Sequence, residues 1–250
     1  MPVMEHDGRT SITVDAVSKR YGPTAALRSV TLAVGRGEIF GVLGPNGAGK
    51  TTLIETIEGL RQPDAGTVRV LGVDPLRAGA AFRAQVSIKM QGAAVSPLVT
   101  VGEVVRLYGS IYGDPRSVEA ILVEARLGEK GKARVNTLSG GQLQRLTIAL
   151  ALVGDPAVVL MDEPTSELDP QARRAAWAAI ANRRARRGTT FVLTTHNMDE
   201  AQRLCDRVAI IDAGSVVRIG TPGELMLGGP APSASLEDAY LQLTGLEVRS

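Results

Sequence analysis

Short runs of apolar residues recur along the chain, and segments with helical periodicity separate the later runs. Four of these runs lie at residues 38–43, 86–90, 157–161 and 189–194. Runs of this length are typical of strands in a parallel sheet that is covered on both faces. Helical patterns between the last three runs fit the crossover connections that such a sheet requires. The pattern therefore predicts an α/β fold.

A second group of segments predicts β-structure of a different kind. Residues 11–17, 29–34 and 66–71 have the pattern of strands and are expected to form a β-rich edge beside the main sheet. Residues 207–212 and 215–219 predict a strand–turn–strand unit with Ala213 and Gly214 at the turn. The main sheet is therefore expected to be mixed rather than purely parallel.

Residues 92–135 interrupt the alternation of strands and helices, and their pattern predicts a segment that is helical throughout. Thr100 is a suitable helix N-cap because Glu103 follows three residues later, as in a capping box. Pro115 is predicted to start a second helix that runs to Leu127. The segment is expected to form a helical subdomain inserted into the α/β fold.

Composition narrows the class of protein. The 250 residues are 44% hydrophobic and 22% charged, which is ordinary for a globular chain, and the net charge is only +2. So small a charge gives no reason to expect nucleic acid as a partner. With Cys205 as its one cysteine, the chain has no internal disulfide, and a place in the core is expected for it. We expect no signal peptide and no membrane-spanning segment, so any membrane role needs a second polypeptide.

The strongest chemical motif follows the first apolar run and precedes a helical pattern. It has the spacing of a P-loop, in which glycines let backbone N–H groups surround phosphates and the helix N-terminus favours anions. The motif predicts that Lys50 reaches the β- and γ-phosphates of a nucleotide and that Thr51 is a ligand of Mg²⁺. The nucleotide-binding residues predicted here are Gly44, Pro45, Asn46, Gly47, Ala48, Gly49, Lys50, Thr51 and Thr52.

A second motif predicts another phosphate contact. Ser139 is a good N-cap for an amphipathic helix, and Gly140 and Gly141 expose the backbone at its start, before Gln142. The chain has only one P-loop lysine, so two chains are expected to meet around shared nucleotides. An ordinary capped helix would be the simpler interpretation if this motif stood alone.

Two acidic residues end the third apolar run. A carboxylate beside a buried strand needs compensation, and a metal ion would supply it, so Asp162 is predicted to support Mg²⁺. Glu163 is then placed to orient or deprotonate an attacking water. A lone histidine is more often structural or simply exposed, but the place of His196 after the fourth run, at this distance from the two acids, favours a functional role.

Together these motifs resemble those of the ABC ATPases, whose signature is the pentapeptide Leu-Ser-Gly-Gly-Gln at residues 138–142. The resemblance implies a P-loop NTPase of the ABC-ATPase type, with a mixed RecA-like core sheet, an antiparallel β subdomain and an inserted helical subdomain. One ATPase domain would span residues 11–245: the catalytic core with its β subdomain at 11–91 and 136–228, and the helical subdomain at 92–135. Residues 229–250 would form a linker and a C-terminal helix.

The resemblance also assigns roles to single residues. Tyr21 matches the aromatic residue that stacks on adenine, although it could simply cover the rim of the first sheet. Gln91 matches a glutamine that is a ligand of Mg²⁺ and couples the site to a partner. His196 matches the switch histidine that contacts the γ-phosphate, and residues 166–169 match a loop that crosses the dimer interface. In that family the signature contacts the γ-phosphate held by the other subunit.

The wider pattern resembles the ATPase subunits of ABC-2 type drug exporters. That implies ATP and Mg²⁺ as cofactors, a second ATPase subunit, and a multi-span membrane permease that this subunit would serve from the cytoplasmic face of the membrane. An ABC ATPase without transport, such as an Fe–S assembly or translation-associated one, stays open. A pure nucleotide sensor is disfavoured, because it would be expected to have lost Glu163 or His196 and both are present. A docking face for the permease is predicted on Val99, Val101, Val104, Leu107, Tyr108 and Ile111.

An arginine-rich helical segment at residues 171–187 allows two interpretations. Its six arginines could contact anionic lipid or nucleic acid, or they could form a solvated face opposite alanines, Trp177 and Ile180. The solvated face is the preferred interpretation.

Overall fold

The computed structural model describes residues 9–89, 96–166, 168–229 and 232–245. These residues form two sheets from nine strands. The strands are β1 (Thr10–Tyr21), β2 (Thr24–Gly35), β3 (Ile39–Leu43), β4 (Ala65–Val70), β5 (Val86–Lys89), β6 (Val158–Asp162), β7 (Thr190–Thr195), β8 (Arg207–Asp212) and β9 (Ser215–Gly220). The helices are α1 (Lys50–Glu58), α2 (Ala80–Gln85), α3 (Val101–Tyr112), α4 (Val118–Glu124), α5 (Gly140–Ala151), α6 (Pro170–Arg187), α7 (Met198–Leu204), α8 (Pro222–Leu227) and α9 (Leu236–Thr244).

The larger sheet has six strands in the order β5-β6-β7-β3-β8-β9. All neighbours are parallel except β8 and β9, which are antiparallel as the predicted hairpin requires. The sheet is therefore mixed, as the sequence predicts. The main strands carry uninterrupted apolar runs because helices cover both faces: every residue of β3, β6 and β7 is buried.

The smaller sheet is antiparallel, in the order β2-β1-β4. Its strands β1 and β2 extend well beyond the predicted segments, because the hairpin continues until Tyr21 pairs with Thr24. Several shifts of register interrupt the pairing, and the outer residues of the hairpin are largely exposed. The alternating pattern of a half-buried strand is lost in that part, which is why the sequence indicated only its inner half.

Three apolar clusters fill the molecule. The first joins α1 to one face of the large sheet and to the small sheet, and the second packs α6, α7 and α9 against the opposite face. Tyr240 of α9 is buried in the second cluster, so this predicted helix is docked on the core. Cys205 is also buried there, and Gly41 makes room for it, since a Cβ at Gly41 would lie 2.8 Å from the Cys205 sulfur.

We call residues 96–135 the helical insert. The third cluster lies between this insert and α5. It joins Val105 and Ile121 of the insert to Leu146 and Leu150 of α5. Ile148 and Ala151, on the same helix, lie in the second cluster instead. The helix α5 is therefore shared between the insert and the core.

The insert is less helical than the sequence predicted. The capping box at Thr100 is present, with the Glu103 N–H 3.2 Å from the threonine hydroxyl. However, the second helix begins at Val118 rather than Pro115, because the Ser117 hydroxyl accepts the N–H of Ala120 and serves as the N-cap. It ends at Glu124, and the described residues beyond it form only 3₁₀ turns and loops up to Ser139.

The arginine-rich helix α6 also differs in part from its prediction. Most of its arginines are exposed, but Arg183 is buried and forms an ion pair with Asp155. Burial lowers the pKa of Arg183, and Asp155 opposes that shift. Arg183 is therefore a residue of the core rather than of a solvated face. In the described part of the chain, no helix is both long and apolar enough to cross a membrane.

Candidate functional site

The loop between β3 and α1 requires its glycines. Gly47 and Gly49 have φ angles of 82° and 103°, where other residues are strained. A Cβ at Gly44 would lie 2.3 Å from the Ile211 carbonyl oxygen, and one at Gly49 would lie 2.3 Å from that of Ala26. No side chain caps the start of α1, so its first N–H groups are available to an anion in the loop.

Lys50 is folded back into this loop. Its ammonium donates to the carbonyl oxygens of Gly44 at 2.8 Å and Pro45 at 3.1 Å, and it lies 3.6 Å from a carboxylate oxygen of Glu163. The side chain is only 6% exposed. A buried ammonium held by neutral carbonyls at an anion-binding loop is well placed to accept phosphate oxygens, which are stronger hydrogen-bond acceptors.

Asp162 and Thr51 bring oxygen atoms together beneath the loop. The Thr51 hydroxyl donates to one carboxylate oxygen of Asp162 at 3.1 Å, and the Thr194 hydroxyl donates to the other. Thr194 also accepts the N–H of Glu163 at 3.0 Å. Thr194 could not be singled out from the sequence, because its role depends on the pairing of β6 with β7.

Glu163 follows Asp162 directly in the chain, and its side chain faces the glycine-rich loop. One of its carboxylate oxygens lies 3.0 Å from His196 Nδ1, and the same oxygen faces Lys50. The Glu163 backbone has a φ of 44°, a left-handed conformation that costs a non-glycine residue roughly 1 kcal/mol or more. His196 is half exposed, whereas the Glu163 side chain is 12% exposed. The strained backbone and the two partners hold the carboxylate at the mouth of the loop.

An open cleft of about 370 Å³ joins these groups to Tyr21. The Tyr21 ring is 41% exposed, with the Lys19 ammonium 5.9 Å and the Arg61 guanidinium 5.8 Å from its centroid. Thr24 and Ala26 also line the cleft, although sequence reasoning did not identify them, because they approach it only through the β1–β2 hairpin. The cleft is lined by Tyr21, Thr24, Ala26, Asn46, Gly47, Gly49, Lys50, Thr51, Thr52 and Glu163.

The second motif lies at the start of α5 and outside this cleft. Ser139 and Gln142 form a capping box: the serine hydroxyl accepts the Gln142 N–H at 3.3 Å, and the glutamine side chain accepts the Ser139 N–H at 3.0 Å. A Cβ at Gly140 would meet no atom within 4 Å, so open space lies before this helix. None of the described signature residues lines the cleft of the same chain.

Asp169, in the segment predicted to cross a dimer interface, lies at the start of α6. Asp169 caps α6 by accepting the N–H groups of Gln171 and Ala172 at 2.9 and 2.8 Å. Gln91 and Glu167 lie outside the described residues. The structure thus brings Tyr21, the glycine-rich loop and Glu163 to one cleft. Asp162 and His196 do not line it but contact Thr51 and Glu163, which do, and Ser139 lies outside it.

The chain is similar to proteins of one family. The family model described as ABC transporter matches residues 27–166. The Nod factor export ATP-binding protein I of Paraburkholderia xenovorans (strain LB400) is 43% identical over 86% of this chain and 72% of its own length. A daunorubicin resistance ATP-binding protein of Streptomyces coeruleorubidus is 38% identical over 96% of this chain and 80% of its own.

Solved structures agree with these relatives. An ATP-binding subunit of an ABC transporter is 30% identical, with a TM-score of 0.84 over 94% of this chain and all of its own. A dimeric ATP-binding cassette in a post-hydrolysis state, bound to ADP and Pi, is 27% identical, with a TM-score of 0.76 over 84% of this chain and 98% of its own.

Proposed function

Because this chain belongs to the ABC transporter family, whose ATP-binding subunits hydrolyse ATP, we propose that it powers an exporter through a separate membrane protein. The names of its relatives support export: one serves Nod factor export and another serves daunorubicin resistance. A drug-like or otherwise hydrophobic compound is the proposed cargo class. An ABC ATPase without transport is not favoured by these relatives.

ATP is proposed to lie along the cleft with its purine on Tyr21 and its phosphates in the glycine-rich loop. The exposed aromatic ring supports the first contact, and the free N–H groups of α1 support the second. Lys50 would leave the carbonyls of Gly44 and Pro45 and bind the β- and γ-phosphates. Thr52 would add its N–H group at the first turn of the helix.

The oxygen atoms of Thr51 and Asp162 fit Mg²⁺. This ion prefers oxygen ligands and usually takes one or two from the protein, with phosphate oxygens and waters completing the shell. The described residues contain no cluster of three or more His, Cys, Asp or Glu that could hold a metal without a nucleotide. When bound, Mg²⁺ would neutralise phosphate charge. Gln91 is proposed as a further ligand from its place in the sequence.

Glu163 is proposed as the group that orients and deprotonates the attacking water. The observation that carries this proposal is its carboxylate, which faces both Lys50 and His196 at the mouth of the loop. A water held by this carboxylate would attack the γ-phosphate in line with the departing ADP. His196 would contact the γ-phosphate and hold Glu163 in position.

Two chains are proposed to close around two ATP molecules. Ser139, Gly140, Gly141 and Gln142 lie outside the cleft of their own chain. The capping box occupies the N–H groups of Ser139 and Gln142, so those of Gly140 and Gly141 are the ones proposed to bind the γ-phosphate held by a second subunit. The similar cassette solved as a dimer supports this arrangement. The multi-span permease would then place the pair at the cytoplasmic face of the membrane.

The proposal predicts that a neighbouring reading frame encodes a multi-span membrane protein, and co-expression with that protein tests it. The complex should co-purify in detergent, and its ATPase rate in liposomes should exceed that of the isolated chain. A vector carrying an unrelated permease of similar size is the control. If the chain hydrolyses ATP but binds neither this permease nor the membrane fraction of its host, the transport function is wrong and only the ATPase remains.

A further inference from the structure

A cavity away from the ATP cleft lies where the helical insert meets the core. Its volume is about 150 Å³, and it opens to solvent between α4, α5 and α6. An apolar cavity of about this size can accept a benzene ring. Its apolar lining consists of Ile121, Ala125, Ile148, Ala149, Leu152, Ala175, Ala176, Ala178 and Ala179.

The polar lining of the cavity is mainly cationic. The charged residues of the lining are one acid, Glu124, and three arginines, Arg116, Arg126 and Arg145. The Glu124 carboxylate is engaged by Arg116 at 2.9 Å, and the same guanidinium also binds Asp114. Arg116 is therefore satisfied by neighbouring acids, and the charge left to the cavity comes from the other two arginines.

Arg145 lacks the partner that a partly buried guanidinium needs. Its Nε is buried and has no hydrogen-bond acceptor, and no described carboxylate lies within ion-pair distance of the side chain. An unsatisfied buried donor on a charged group is costly, so such groups are usually found with a partner. Arg126 and Asn182 add exposed donors at the same opening.

We propose that this cavity binds a small organic carboxylate with an apolar, ring-sized body. The carboxylate would accept hydrogen bonds from Arg145 and Arg126, and the ring would lie on Ile148 and the alanines of α6. The site contacts the insert and the core together, and it shares no lining residue with the ATP cleft. Its existence does not depend on the proposed transport function.

Calorimetric titration of the full chain with sodium benzoate tests this site. Benzyl alcohol and benzylamine, at the same ionic strength, report whether the charge of the ligand matters. Benzoate should bind with a dissociation constant on the order of 1 mM, as expected for a ligand of this size, and the two other probes should bind at least about ten-fold more weakly. Equal binding of all three probes would contradict the proposal, as would no benzoate binding at all.

Matched variants locate the binding. Arg145→Gln should weaken benzoate binding about ten-fold or more, and Arg145→Lys should retain part of it. Ala179→Leu should fill the cavity and abolish binding. Arg186→Gln and Ala181→Leu change exposed residues of α6 outside the cavity lining and should leave binding unchanged.

Two outcomes would overturn the assignment to this cavity. One is an unchanged benzoate affinity in Arg145→Gln. The other is a loss of affinity in Lys50→Ala, because it would place the carboxylate in the phosphate loop instead. Circular dichroism of each variant separates loss of the site from loss of the fold, and Arg145→Lys keeps the test decisive if Ala179→Leu fails to fold.

Discussion

The guanidinium groups of Arg116 and Arg183 both donate to the main-chain oxygen of Leu152, at 3.0 and 3.4 Å, although they approach it from different parts of the molecule. Arg116 precedes α4 in the insert, whereas Arg183 lies in the long helix α6 of the core. Each arginine also binds an acid, Asp114 and Asp155 respectively. Hydrogen bonds from two charged groups to one main-chain oxygen therefore join the insert to the core near the C-terminus of α5.

Asp114→Asn should weaken this junction. The Asp114 side chain is 2% exposed and accepts the Arg116 guanidinium and the Gly154 N–H, the latter at 2.8 Å. We expect the free energy of unfolding to fall by about 2–3 kcal/mol, because the variant removes the buried one of the two carboxylates that bind Arg116 and leaves only the exposed Glu124. Urea denaturation measures the change, with Asp15→Asn on the exposed part of β1 as the control.

The same contact predicts a dependence on pH. The pKa of Asp114 is held well below its ordinary value of 3.8, chiefly by the hydrogen bonds from Arg116. The unfolded chain therefore binds the proton more readily, so the stabilisation is complete above the unfolded pKa and is lost as pH falls below it. The urea midpoint of Asp114→Asn should change less between pH 5 and pH 3 than that of the wild type. If the urea midpoints of the two proteins changed equally between pH 5 and pH 3, Asp114 would not be the source of the pH dependence.

Lys50→Ala tests the phosphate-binding role of the loop. Removing the ammonium should lower ATP affinity by about 100-fold or more and abolish turnover, because the β/γ charge is then unopposed. Fluorescence titration with a labelled ATP analogue measures the affinity. Lys130→Ala, at an exposed turn of the insert, is the matched control. A folded Lys50→Ala variant with normal affinity would show that phosphates bind elsewhere.

Glu163→Gln separates ATP binding from hydrolysis. The amide keeps the size of the side chain but cannot accept the proton of the attacking water, so the rate should fall by about 100-fold or more. The protein should then accumulate as an ATP-bound dimer in size-exclusion chromatography. Glu129→Gln, at an exposed position, should hydrolyse ATP normally and keep the wild-type proportion of monomer and dimer. Near-normal hydrolysis by Glu163→Gln would assign the base to another residue.

The predicted permease-docking face divides into two sets. Val101 and Val104 are buried in the insert, whereas Leu107 and Ile111 are 55% and 63% exposed. Leu107→Asp with Ile111→Asp should therefore abolish co-purification with the permease and leave basal ATPase unchanged. Leu227→Asp, at a 72% exposed residue of α8, is the control for adding charge to an apolar surface position. Full retention of the permease by the double variant would place docking on another surface.

Glu58 predicts a second pH dependence of opposite sign. Burial first, and then the charges of Glu55 and Asp162, raise the pKa of Glu58 to about 8, and neither of its oxygens has a hydrogen-bond partner among the described residues. The native state then retains a proton that the unfolded chain releases above pH 4.5, so stability falls as pH rises through that window.

Glu58→Met should therefore raise the free energy of unfolding at pH 8.5, by roughly 1–3 kcal/mol, and flatten its decrease between pH 5 and pH 8. Thermal denaturation without nucleotide measures both effects. The exposed Glu129→Gln variant should keep the wild-type slope. A Glu58→Met profile as steep as that of the wild type would assign the titration to another group.

The sequence predicted features that depend on local chemistry. The glycine-rich loop, the capping box at Thr100, the N-cap at Ser139 and the buried strand before Asp162 each combine a short motif with its immediate neighbours. Partners from distant strands could not be predicted in this way. Thr194 contacts Asp162 only because β7 lies beside β6 in the sheet.

Burial of charge was the harder property to predict. Arg183 resembles its neighbours in the sequence, yet it alone among the six arginines of α6 is buried, because Asp155 and the Leu152 oxygen face it. The start of α4 was misjudged for a related reason. Proline suits the first turn of a helix. Here, however, the Asp114 carboxylate accepts the Arg116 N–H, so Pro115 lies in a turn before the helix and Ser117 is the N-cap.

The shared helix α5 limits how the molecule can transmit motion. It spans 12 residues, about 18 Å, with Ser139 at its leading end. Alternate side chains are interlocked with the insert and with the core, and close-packed interiors do not stretch. A shift of the insert must therefore either drag α5 across the sheet or stop at it. Because α5 is a single rigid helix, a displacement imposed on its packed half would also move Ser139.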